Sequence, residues 1–103
     1  MLFEKKTVLI TGGTGSLGQA LTQRLLSMGV KTIRIFSRNE SKQIEMEDHF
    51  NDDRIRFFLG DIRDLDRLSR AIEDVDYVFH TAALKHVPKI EYNPFEAIKT
   101  NVI

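Results

Sequence analysis

Short unbroken apolar runs alternate along the chain with longer stretches whose apolar residues recur every three or four positions. Val8-Leu9-Ile10 is the first run, continuous as in a strand buried on both faces. Leu17, Leu21, Leu25 and Met28 follow at helical spacing with Ala20 beside them, and Gly29 is a C-terminal stop signal. Thr32–Phe36 (TIRIF) predicts a second strand. Asn39–Phe50 predicts a polar helix that packs through Ile44, Met46 and Phe50. Asn51-Asp52-Asp53 marks a turn, and Ile55–Leu59 (IRFFL) a third strand ended by Gly60. Leu65, Leu68, Ala71 and Ile72 mark a third helix, and Val75–Phe79 a fourth strand.

Strands that alternate with helices imply βαβ units, a parallel sheet and right-handed crossovers. The expected fold class is α/β, a Rossmann-like doubly wound parallel sheet of about four strands in order 3-2-1-4, with helices on both faces. That order puts strands one and four side by side at the switch point, where ligands of such sheets bind. Farther along, Asn93, Pro94 and Glu96 form a capping-box start for another helix. That helix barely begins before Ile103, and the fourth strand is left as an uncovered edge. The expectation is the front part of a larger domain.

The totals narrow the chemistry. A chain of 103 residues with 42% hydrophobic residues suits one small domain with a real core. Fifteen basic and fifteen acidic residues cancel, which argues against nucleic acid or an anionic membrane as a general partner. The absence of cysteine removes disulfides, thiolate catalysis and thiolate metal sites. Three histidines are scattered without a carboxylate cluster, so no metal site is expected. No apolar run approaches the ~20 residues that span a bilayer, and no signal-peptide pattern opens the chain. The expected location is cytoplasmic.

Two overlapping glycine patterns follow the first strand: Gly13-x-Gly15-x-x-Gly18 and Gly12-x-x-Gly15-x-x-Gly18. Both fit dinucleotide fingerprints, and the strand before and amphipathic helix after are their confirming context. Missing side chains let a pyrophosphate approach the backbone, and the helix N-terminus offers free N–H groups. Thr14, Ser16 and Leu17 supply amides or hydroxyls there.

After the second strand the chain reads Ser37-Arg38-Asn39-Glu40, with no acid at the strand end. Arg38, with its hydroxyl and amide neighbours and Lys42 further on, suits a 2′-phosphate and therefore NADP. The other reading leaves Arg38 in solvent while Glu40 reaches the ribose of NAD. Asp61 can accept from an adenine amino group with Ile62 on the ring; alternatively Asp61 or Asp64 caps the next helix. Past the fourth strand, small residues in His80-Thr81-Ala82-Ala83-Leu84-Lys85 leave room for ribose and nicotinamide. On composition alone Lys85 is either a cofactor or substrate-phosphate contact or a solvated loop lysine, and His80 a strand-end histidine.

Four segments, TGGTGSLG, FSRNESKQ, GDIRD and AALKHVPKIEYNPFEAIKTNV, resemble the extended short-chain dehydrogenase/reductases that act on UDP-N-acetylglucosamine. They resemble above all the inverting 4,6-dehydratases and the related CapD-like polysaccharide-biosynthesis proteins. The first motif belongs to the whole superfamily, while ALKHVP-x-x-E-x-NP-x-EAIKTN is much narrower. The resemblance implies that 1–103 is the N-terminal part of an NADP-binding Rossmann domain. It implies NADP on Thr14, Gly15, Ser16 and Leu17, and a 2′-phosphate pocket from Ser37, Arg38, Asn39, Glu40, Ser41 and Lys42. Asp61 and Ile62 would hold adenine. Thr81 stands where the family commonly has alanine, and Lys85 would touch both cofactor and sugar nucleotide.

The implied reaction takes a hydride from sugar C4, loses water across C5–C6, returns the hydride to C6 and inverts C5. The implied substrate is UDP-N-acetylglucosamine, and the implied assembly a homo-oligomer. Such enzymes use a Tyr-x-x-x-Lys pair. Here Tyr77 is followed four positions on by Thr81, and Tyr92 by Glu96. The chain alone is therefore expected not to turn over substrate. Two other readings stay open: a related epimerase, and a non-catalytic module that senses NADP(H).

Overall fold

Residues 2–81 are described by the structure, a computed structural model. Its elements alternate as β1 (Thr7–Thr11), α1 (Ser16–Ser27), β2 (Thr32–Ser37), α2 (Glu40–Phe50), β3 (Ile55–Leu59), α3 (Leu65–Ile72) and β4 (Tyr77–His80). The strands form one parallel sheet in the order β3-β2-β1-β4, as the alternation predicts. Ile10 pairs with Ile35 on one side and Phe79 on the other, so β1 is central.

Side chains of a strand alternate between faces, and here each face has its own cover. Val8, Ile10, Ile33, Ile35, Ile55 and Phe79 pack with Leu21 and Leu25 of α1 and Met46 of α2. Leu9, Phe36 and Val78 pack on the opposite face with Ala71 of α3, and Leu68, Ile72 and Phe58 flank them. This is the doubly wound arrangement, and it explains why the β1 run is apolar without a break. Phe3 is buried and meets Tyr77 edge-on at 5.2 Å, which closes the first core at the amino end of the strands.

Four details depart from the sequence reading. Strand β4 begins at Tyr77, because the Val75 amide donates to Ile72 O and closes the turn after α3. Val75 still reaches the core, from a loop. Strand β2 continues one residue further, to Ser37. Ile44 is exposed on α2, and Gln43 faces inward beside Met46 in its place. Gln43 Nε2 donates to Ser37 Oγ and Phe58 O, both at 3.0 Å, so a polar residue ties α2 to two strands. Leu65, at the start of α3, is exposed rather than packed.

Arg34 of β2 shows how a charged residue can serve a core face. Its Nη1 donates to Ala71 O at 2.9 Å and Glu73 O at 2.7 Å, and its guanidinium lies 5.7 Å from the Phe58 ring centre. It thus satisfies carbonyls at the end of α3 that the helix cannot satisfy itself. Arg34→Met should cost about 1.5–3 kcal/mol in chemical denaturation, the scale of such charge-assisted bonds. A loss within about 0.5 kcal/mol, usual for plain surface changes, would show that water replaces the guanidinium freely.

Candidate functional site

The carboxyl ends of β1, β2 and β3 open onto a cavity of about 450 Å³. Its first wall is the turn between β1 and α1. Gly12 takes φ 70, a left-handed conformation that suits glycine, and its N–H donates to Phe36 O at 2.8 Å. Gly13 and Gly18 answer to packing: a Cβ on Gly18 would lie 2.4 Å from Gly13 O, and one on Gly13 2.8 Å from Ile35 Cγ2. Gly15 is different. At φ −76 and ψ 175 its backbone would accept any residue, and it lines the cavity.

Gly15 is also the N-cap of α1. The first bond into the helix runs from Gln19 N–H to Gly15 O at 2.9 Å, so the amides of Ser16, Leu17 and Gly18 have no intrahelical acceptor. Among the described residues no side chain caps this end, and its first turn holds no acid. The other two helices are served from within: Asn39 caps α2 and Glu40 sits in its first turn, while Asp64 caps α3 with Asp66 beside it.

The second wall follows β2. Ser37, Arg38, Asn39 and Lys42 line the cavity. The Arg38 side chain is 73% exposed. Asn39 Oδ1 accepts from Lys42 N–H and Ser41 Oγ, both at 3.0 Å, so Asn39 and Ser41 build the turn that presents Lys42. Glu40 and Ser41 do not line the cavity among the described residues.

The third wall follows β3. The capping alternative is settled by Asp64, which accepts from Arg67 N–H, and Asp61 is left on the cavity with Ile62. Asp61 accepts from Arg63 N–H, Nε and Nη2 at 2.9, 3.2 and 2.8 Å, and from Arg38 Nη1 at 3.5 Å. Arg63, with a smaller contribution from the Arg38 charge, holds the Asp61 carboxyl well below the usual carboxylate range. Arg63, Phe36 and Gly60 also line the cavity, and sequence reasoning missed all three. A Cβ on Gly60 would lie 2.9 Å from Phe36 Cζ, so glycine lets that ring lie against the wall. The available signal for Arg63 was a repeated Asp-x-Arg, since Asp52 and Arg54 close the same ring.

Of the predicted site residues, Gly12, Thr14, Gly15, Ser37, Arg38, Asn39, Lys42, Asp61 and Ile62 meet in this one cavity. Ser16, Leu17 and Gly18 do not line it; they form the first turn of α1, directly after Gly15. Thr81 is buried, and its Oγ1 donates to Thr11 O at 2.7 Å and lies 3.0 Å from Gly12 O. Its hydroxyl is thus spent on bracing the glycine turn. His80 ends β4 with Nδ1 3.2 Å from Thr11 Oγ1. Lys85 lies outside the described residues. Among the described residues no group of three His, Cys, Asp or Glu could hold a metal, and no helix is long and apolar enough to cross a membrane.

The two Asp-x-Arg rings make acid stability testable. Arg54 lowers the Asp52 carboxyl as Arg63 lowers Asp61. A depressed folded-state pKa gives stability that is complete above the unfolded value, near pH ~3.9, and is lost as pH falls toward the folded value. Urea midpoints should therefore drop below about pH 4, with a shallower drop for Asp52→Asn, in which that linkage is absent. Identical acid slopes for the two proteins would rule out the Asp52 contribution.

Residues 8–103 match the family described as polysaccharide biosynthesis protein. Among curated relatives, an uncharacterized membrane protein of Methanocaldococcus jannaschii is 58% identical over 101 residues, 98% of this chain and 30% of the relative. The inverting UDP-N-acetylglucosamine 4,6-dehydratase of Campylobacter jejuni is 55% identical over 102 residues, again 98% and 30%. A UDP-glucose 4-epimerase of Rickettsia bellii is 50% identical over 106 residues, 99% and 31%. The chain thus spans under a third of the length of these relatives. The structure of Pen from Bacillus thuringiensis superposes with a TM-score of 0.78 at 48% identity, over 94% of this chain and 31% of that one. WbmF of Bordetella bronchiseptica, solved with NAD+ and UDP, gives 0.65 at 28% identity, over 77% and 23%.

Proposed function

We propose a function from one premise: this chain belongs to the polysaccharide biosynthesis protein family, a branch of the extended short-chain dehydrogenase/reductases. Residues 1–103 serve as the cofactor-binding part of a nucleotide-sugar enzyme. The cofactor is NADP, the substrate UDP-N-acetylglucosamine and the reaction a C5-inverting 4,6-dehydration. The observation that carries this is the start of α1. Among the described residues it has no side-chain cap and no first-turn acid, its first amides have no intrahelical acceptor, and it adjoins a cavity lined by Gly15. Such an end attracts an anion, and the diphosphate of a dinucleotide supplies one.

The residues present fit the rest of that ligand. Arg38 and Lys42 bring positive charge to the far wall, and Ser37 brings a hydroxyl. Glu40, the residue an NAD reading needs on the ribose, does not line the cavity. Ile62 offers an apolar surface for a purine ring beside the Asp61 acceptor. When bound, the nicotinamide supplies hydride acceptance and return at the sugar. The chain's own residues bind and orient; Thr81 keeps the glycine turn in place. Lys85 is proposed to contact both cofactor and sugar nucleotide. No Tyr-x-x-x-Lys occurs in these residues, which supports binding without turnover.

A second reading is favoured by the relatives named as UDP-glucose 4-epimerases. It shares oxidation at sugar C4 and diverges afterwards. A protein spanning the relatives' length, given UDP-N-acetylglucosamine, separates them: a 4-keto-6-deoxy product supports the dehydratase, a C4 epimer the epimerase. For the chain itself, NADP+ should bind saturably in calorimetry and shift the amide resonances of residues 12–18 and 38. No shift at millimolar NADP+ would overturn the cofactor assignment.

A further inference from the structure

The carboxylate of Asp61 is full. Oδ1 accepts from Arg63 N–H and Nε, and Oδ2 from Arg63 Nη2 and Arg38 Nη1. A carboxylate offers about four acceptor positions, so none is left for a ligand. The proposed reading nevertheless asks Asp61 to accept from an adenine amino group, and Arg38 to hold a 2′-phosphate. Both demands converge on the one contact between these residues.

The four bonds are not equivalent. Three come from Arg63, two positions along the chain, and run from 2.8 to 3.2 Å. The ring of Asp52 and Arg54 has the same three bonds at 2.9, 3.0 and 2.9 Å, with no further cation on its carboxylate among the described residues. Such a ring therefore closes without a second cation, with Arg54 Nη1 also donating to Leu26 O at 3.2 Å. The fourth bond, from Arg38, is the longest at 3.5 Å and comes from a different loop. Its side chain is 73% exposed. A phosphate dianion competes well for a guanidinium that the carboxylate holds this loosely.

We propose that the Arg38–Asp61 ion pair is an exchange contact that couples recognition of the two ends of the adenosine. A 2′-phosphate withdraws Arg38, and the vacated Asp61 Oδ2 accepts from the adenine amino group. An unphosphorylated dinucleotide has no dianion to draw Arg38 away, so Arg38 stays on Asp61 and blocks the amino group. Arg63 acts as a positioning residue that keeps the carboxylate facing the cavity. Selection against NAD then exceeds the loss of the phosphate contact itself. This inference rests on the NADP reading above.

The test is a square of four ligands on the full chain, by calorimetry at one salt concentration: NADP+, NAD+ and their hypoxanthine analogues, in which a carbonyl replaces the amino group. The change of base should weaken the phosphorylated pair by ~10-fold or more and the unphosphorylated pair by less than ~2-fold, the range for gain or absence of one charge-assisted bond. In Arg38→Ala the two factors should become equal, since nothing occupies Oδ2. Equal factors in the unsubstituted protein, with NADP+ still preferred, would overturn the coupling and leave the cofactor reading standing. Equal affinities for NADP+ and NAD+ would overturn both, as would unequal factors that persist without Arg38 overturn the exchange.

Discussion

Gly18→Ala should lower the stability of the chain by about 4 kcal/mol, the exceptional end of single substitutions. The added Cβ would lie 2.4, 2.5 and 2.6 Å from the O, Cα and C atoms of Gly13. These are backbone atoms, so no rotamer relieves the overlap. Retreat of the turn is blocked from behind as well, because Gly13 itself sits against Ile35 and Ile10 O. Helix α1 must then lift away and give up part of the burial of Leu21 and Leu25. Gly13→Ala makes a useful comparison: its Cβ meets mainly the Ile35 side chain, which can give, and about 1–3 kcal/mol is expected. Thermal unfolding should place the Gly18 variant roughly 20 °C below the parent, at ~4–8 °C per kcal/mol for a domain of this size. A difference under about 5 °C would mean that the start of α1 is not held against the turn.

Arg38→Ala should weaken NADP+ binding by about 1.5–3 kcal/mol with no loss of NAD+ affinity, the range for a charge-assisted hydrogen bond. The side chain contributes little to the fold: it is 73% exposed, and its ion pair to Asp61 is long at 3.5 Å. Stability should therefore barely change, so the loss can be assigned to the ligand. Parallel titrations of parent and variant measure it. Equal losses for the two cofactors would remove Arg38 from the 2′-phosphate and move it to a feature that both dinucleotides share.

Much of the fold was legible because its signals are local and redundant. Val8-Leu9-Ile10 reads as a strand with two covered faces, and the structure puts one helical layer against each face. The crossover rule then leaves few strand orders, and 3-2-1-4 is the observed one. What stayed hidden depends on competition between equals. Asp61 and Asp64 are the same residue type three positions apart, and only the path of the loop decides which one caps α3. Gln43 displaces Ile44 from the interior because two strand-end acceptors need a donor there, and no hydropathy pattern encodes that need. Arg63 was present in the quoted GDIRD segment, yet its return onto Asp61 is a matter of turn geometry. The Thr81 hydroxyl likewise shows its partners only once β4 lies beside β1.

The Thr81 brace also bears on the order of assembly. Closing a loop costs more entropy the more chain it encloses. Joining β1 to β2 encloses only α1 and its turns, whereas joining β1 to β4 brings together Thr11 and His80, 69 positions apart. Among the described strands the β1–β2–β3 pairings are thus the cheaper to close, and the β1–β4 pairing the costliest. The glycine turn gains the Thr81 brace only at that step, so its geometry is completed late, after the fourth strand has left the ribosome.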